Sequence, residues 1–94
     1  MVMKKDLPEV LLNKYMSKHG LTVNSLALLA GLTQTAVRLI SRNESGISAK
    51  VAMRLGKVFN TSPELWMAAS MNLQLQKAGT DKQFVKELGK VKRL

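Results

Sequence analysis

Apolar residues recur along this chain at spacings of three and four, the period of a helix that turns one face toward a core. In "PEVLLNKYMSKHG", Leu11, Leu12, Tyr15 and Met16 share such a face. Pro8 suits the first helical position and Gly20 stops the run, which predicts a first helix. Thr22 is a good N-cap for a second, short helix carrying Val23, Leu26, Ala27 and Ala30 inward and ending at Gly31. Only Leu32 and Thr33 then separate it from a third helical pattern, Gln34 to Arg42, closing at Asn43.

Beyond "NESG", a polar turn in which Gly46 is free to take a positive φ, a fourth helix starts behind Ser48. Its stripe of Ala52, Leu55, Gly56 and Phe59 follows the i, i+3, i+4, i+7 rule, and Asn60 is a C-cap candidate. "TSPELW" supplies the next start: Ser62 caps, Pro63 has the φ wanted at the first position, and Glu64 favours the positive end of the helix dipole. The fifth helix is expected from Pro63 to about Lys77, with one apolar face through Trp66, Ala69 and Leu73 and another through Met67, Met71 and Leu75. Two faces exceed what one packing surface needs, so the second suggests a partner. Gly79 is expected to break the pattern, and Thr80 or Asp81 to recap a short segment with Phe84, Val85 and Leu88. No strand-like alternation and no internal repeat occurs. The fold class is therefore all-α: a compact five-helix orthogonal bundle over residues 1–78, with a basic C-terminal helical extension over 79–94.

The third pattern contains an oddity. At about 100° per residue, Ala36, Val37 and Ile40 point one way, while Thr35, Arg38 and Arg42 point nearly opposite, with Gln34, Ser41 and Leu39 flanking them. Two short helices joined by a Gly-headed turn, the second with a polar outer face, form the local signature of a helix-turn-helix, whose second helix enters the DNA major groove. The outward residue types suit base edges: Arg38 for guanine O6 and N7, Gln34 for adenine N6 and N7, Leu39 or the Thr35 methyl for a thymine methyl. Thr22, Thr33, Arg42, Asn43 and Lys50 are the candidates for holding phosphates through hydroxyl, amide and charge.

Taken alone, a polar stripe on a nine-residue helix is as often a plain solvated face. Charge shifts that balance. Fifteen Lys and Arg against six Asp and Glu give a formal net charge of +9, a strong bias toward polyanionic partners for a chain of 94 residues. Six residues from Lys77 onward are Lys or Arg.

Composition also removes whole classes of chemistry. Cysteine is absent, which excludes disulfides, zinc ribbons and thiol catalysis. His19 is the single histidine and has no second ligand at a metal-site spacing. The serines lack a positioned base, and the carboxylates show no paired spacing. No enzymatic activity, cofactor or metal is expected. The N-terminus lacks the apolar region of a secretory signal and no run approaches a membrane span, so the expectation is a cytoplasmic protein without membrane contact.

From Gly20 to about Leu73 the sequence resembles the lambda-repressor-like (XRE) helix-turn-helix domain, and within it the HigA and virulence-associated protein I branch of antitoxins. Three pieces carry the match: a helix-turn-helix followed by the turn Gly46 to Ala49, an Ala-x-Arg-Leu helix at Ala52 to Leu55, and Phe-x-Thr-Ser-Pro-Glu-x-Trp at Phe59 to Trp66. The resemblance implies a dimeric repressor of its own operon that binds double-stranded operator DNA. It also implies neutralisation of a cognate HigB-like toxin, a RelE-like ribonuclease that cleaves messenger RNA. The base-reading positions it implies fall on Gln34, Thr35 and Arg38, with Leu39 where related repressors often carry a polar reader. A symmetric homodimer would match a palindromic operator, and Trp66, Met67 and Met71 are its interface candidates. The alternatives are a stand-alone phage or plasmid regulator without a toxin, and a protein-interaction module whose third helix never meets DNA.

Overall fold

The structure, a computed structural model that describes residues 6–94, contains six helices and no strand among those residues. They are α1 (Pro8–Lys18), α2 (Val23–Ala30), α3 (Gln34–Ser41), α4 (Ala49–Phe59), α5 (Pro63–Thr80) and α6 (Lys82–Leu88). Residues 1–5, the start of the expected 1–78 domain and of the stretch read for a secretory signal, lie outside the described residues.

Every helix start after the first has a side-chain cap, whereas α1 begins behind Leu7 with Pro8 at its first position and no capping side chain. Thr22 and Ser25 form a reciprocal capping box on α2, and the side chains of Thr33, Ser48, Ser62 and Asp81 accept from the third residue beyond them. Of the two candidates for recapping the tail, Asp81 is the one used. The inward faces of α1 to α5 meet in one core built on Leu11, Leu12, Leu26, Val37, Ile40, Ala52, Leu55 and Trp66. Tyr15, Phe59 and Trp66 pack ring against ring, with centroids 5.3 to 5.7 Å apart. Trp66 is 0% exposed, and its indole Nε1 donates to Thr61 Oγ1 at 2.8 Å. This corrects its place among the interface candidates: a side chain wholly enclosed by its own chain has no surface to offer a second copy.

Two turns also differ from expectation. After α3, the positive φ belongs to Asn43 (57°), not to Gly46. Gly46 is needed for space instead, since a Cβ there would lie 2.9 Å from Ser70 Oγ on α5. That hydroxyl is buried and accepts the Ile47 N–H at 2.8 Å, tying the α3–α4 loop to α5. Further on, Gly79 does not break the fifth helix, which runs on to Thr80, where the Thr80 hydroxyl donates to the Gln76 and Lys77 carbonyls. A glycine costs an exposed helix only about 1 kcal/mol, and Asp81 supplies the real stop.

The last buried side chain of α5 is Leu73, and α6 buries none. The chain beyond Leu73 therefore projects from the bundle: the radius of gyration is 15.4 Å, against about 12 Å for a compact chain of this length.

Candidate nucleic-acid interface

The axes of α2 and α3 turn by 117° across Gly31, Leu32 and Thr33, within the range of a helix-turn-helix. Gly31 makes the turn in the left-handed region, with φ 67°. Over it lies Arg54 of α4, whose Nη1 donates to the carbonyls of Ala30 and Gly31 at 3.0 and 3.4 Å. A guanidinium thus satisfies the carbonyls at the end of α2 and complements the negative end of its dipole. In the sequence Arg54 stands out only as part of the Ala-x-Arg-Leu segment; this role depends on a residue 24 positions away.

Helix α3 is seated by Val37 and Ile40, which are 0% and 3% exposed. Ala36, expected beside them, is only half-buried. On the other side Gln34, Thr35, Arg38 and Arg42 are exposed, and Leu39 is 36% exposed. Four different side-chain chemistries thus stand on one outward strip: an amide, a hydroxyl with a methyl, a guanidinium and an isobutyl group.

Part of this strip is ordered before any ligand arrives. Gln34 Nε2 donates to Asn24 Oδ1 on α2 at 2.9 Å, and Arg38 Nη2 donates to Gln34 Oε1 at 3.1 Å. Asn24 carried no signal in the sequence, because its partner sits ten residues on, in a different helix.

The expected phosphate contacts divide into three kinds. Thr22 and Thr33 are exposed at the heads of α2 and α3, and both hydroxyl oxygens accept a capping N–H, from Ser25 and Ala36. The Thr22 hydroxyl also lies 3.1 Å from Ser25 Oγ, while the Thr33 hydroxyl hydrogen and the N–H groups of each first turn form the kind of helix-head site that suits an anion. Arg42 at the C-terminal cap of α3 and Lys50 in the first turn of α4 are exposed cations. Asn43 is different. It is half-buried, its Oδ1 accepts the Glu9 N–H at 2.8 Å, and its Nδ2 donates to Glu9 Oε2 at 3.1 Å. Both ends of its amide are committed to the head of α1. Asn43 thus braces the head of α1 against the end of α3, and one Nδ2 hydrogen is left over.

On α5, Met67 and Met71 are 40% and 55% exposed, and Leu75 continues their row at 61%. His19 caps the end of α1, and its ring lies 5.6 Å from that of Phe59. Among the described residues no group of three or more His, Asp or Glu converges on a metal position, and no single helix is long and apolar enough to cross a membrane.

Comparison with known proteins agrees with this geometry. The family described as Cro/C1-type HTH DNA-binding domain matches residues 12–64. Virulence-associated protein I of Dichelobacter nodosus is 29% identical over 87 residues, covering 87% of this chain and 81% of its own. Among solved structures, the antitoxin GraA superposes with a TM-score of 0.82 at 29% identity, covering 99% of this chain and 100% of its own. The Pseudomonas aeruginosa antitoxin HigA, determined with the higBA promoter, gives a TM-score of 0.85 at 25% identity, covering 97% and 99%. A matched span running from α1 into the start of α5, around a helix-turn-helix whose second helix turns Gln34, Thr35 and Arg38 outward, places this chain in the Cro/C1-type helix-turn-helix DNA-binding domain family, with HigA-type antitoxins among its structural neighbours.

Proposed function

We propose that this chain is a sequence-specific DNA-binding antitoxin that represses its own operon and neutralises a RelE-like, messenger-RNA-cleaving toxin of the HigB kind. The observation that carries the DNA half is the outward strip of α3: Gln34, Thr35, Arg38 and Leu39 are exposed together on a helix anchored by Val37 and Ile40. These four read base edges in the major groove. Thr22, Thr33, Arg42 and Lys50 hold the flanking phosphates and carry the salt dependence. The antitoxin half is supported by the likeness over nearly the whole chain to GraA and to HigA solved with a promoter.

The protein acts as a homodimer. Met67, Met71 and Leu75 leave an apolar row exposed on α5, and Phe84, Val85 and Leu88 on α6 are 41%, 46% and 52% exposed as well. A row of this length on a projecting arm matches a symmetric contact between two copies, which would set two α3 helices about one turn of DNA apart.

Co-expression with the product of the neighbouring reading frame, followed by a footprint on the shared promoter, tests both halves. The expected result is a stable complex and a protected palindrome. A protected promoter without complex formation reduces the protein to a stand-alone regulator; absence of protection at low salt overturns the DNA reading.

A further inference from the structure

We infer that Asn24, on the first helix of the helix-turn-helix, sets base specificity without reading a base, by holding Gln34 and through it Arg38. This rests on the reading of α3 as the DNA-reading helix. The three side chains form a directed chain of hydrogen bonds. Asn24 Oδ1 accepts from Gln34 Nε2 at 2.9 Å, and Gln34 Oε1 accepts from Arg38 Nη2 at 3.1 Å.

Direction matters because each group has a fixed inventory of donors and acceptors. With its nitrogen turned to Asn24, the Gln34 amide can present only its oxygen toward Arg38. An acceptor beside the guanidinium removes one of the rotamers that a long exposed arginine otherwise samples. One of its five N–H groups is spent in this way. The remaining four include the pair needed to meet guanine O6 and N7 side by side. Gln34 keeps one N–H and one lone pair, so it serves as a bridge first and as a reader second. All three side chains are exposed, so the chain contributes little to stability, and its consequence is pre-organisation: the entropy of fixing Arg38 is lost before DNA binds rather than on binding.

Asn24 is therefore a positioning residue, and its removal should change base preference rather than folding. The probe is a duplex selected by the unmodified protein from a randomised double-stranded library, together with its single-base substitutions. Asn24→Ala should leave the unfolding midpoint within the range of a surface substitution. It should lower discrimination at the base read by Arg38 by about three- to tenfold, the scale of coupling between side chains in one network. In an Arg38→Ala background it should change nothing further at that base. Asn24→Asp keeps the acceptor for Gln34 Nε2, so it should retain the discrimination while weakening all duplexes through its charge.

Unchanged discrimination in Asn24→Ala, the same loss with Arg38 already removed, or loss of discrimination in Asn24→Asp would each overturn the inference. If Arg38→Ala itself leaves every base preference intact, the reading of α3 has failed. If Arg38→Ala relaxes one position and Asn24→Ala does not, the role of Asn24 alone has failed.

Discussion

The guanidinium of Arg54 lies directly over Gly31, with Nη1 3.0 Å from the Ala30 carbonyl and only 2.6 Å from where a Cβ on Gly31 would stand. Turn, helix end and α4 are thereby locked together, and the angle at which α3 leaves α2 depends on that lock.

Gly31→Ala combines a left-handed backbone with a collision against Arg54, and should cost about 1–2 kcal/mol. Arg54→Ala should cost about 1 kcal/mol by uncapping the carbonyls of α2. The double substitution should cost less than the sum, because the collision disappears with the arginine. Urea unfolding of the three variants measures this.

Ser70→Ala leaves the Ile47 N–H without its acceptor in a buried position. The expected loss is about 1–3 kcal/mol, read by thermal or urea unfolding. Hydrogen exchange at Ile47 should accelerate more than exchange in α2.

Asn43 and Arg42 are adjacent, yet their substitutions should separate. Asn43→Gly retains the left-handed φ and loses the Glu9 bonds, lowering stability by about 1 kcal/mol with no change in the salt dependence of DNA binding. Arg42→Ala should leave stability within about 0.5 kcal/mol and reduce the slope of log affinity against log salt by about 1. Titrations at several salt concentrations distinguish the two.

Most helices were legible because their signals are local. Caps at Thr22, Ser48 and Ser62 lie three residues from the N–H groups they satisfy, and stripes such as Ala52, Leu55 and Phe59 repeat within one helix. What sequence could not reveal depends on partners brought close only by folding. Asn43 has the composition of a phosphate ligand, and its bonds to Glu9, 34 positions away, come only with the fold. Gly46 has the composition of a turn with positive φ, but its reason is Ser70 on α5. Periodicity placed Trp66 on an apolar face without saying whether that face closes on its own chain or on another.

That distinction predicts opposite behaviour along α5. Trp66→Ala opens a cavity in the core and should cost about 3–5 kcal/mol, whereas Met71→Glu should leave the fold intact and shift sedimentation from dimer to monomer. A folded, fully dimeric Met71→Glu protein would move the interface off the α5 row.

The most direct test of the central claim is the affinity of Arg38→Ala for the duplex protected on the protein's own promoter, compared with single-base variants of that duplex. Arg38 against a guanine edge predicts a loss of about 1–3 kcal/mol, with relaxed preference confined to one base position in each half-site. Binding as tight and as selective as that of the unmodified protein would contradict the placement of α3 in the major groove.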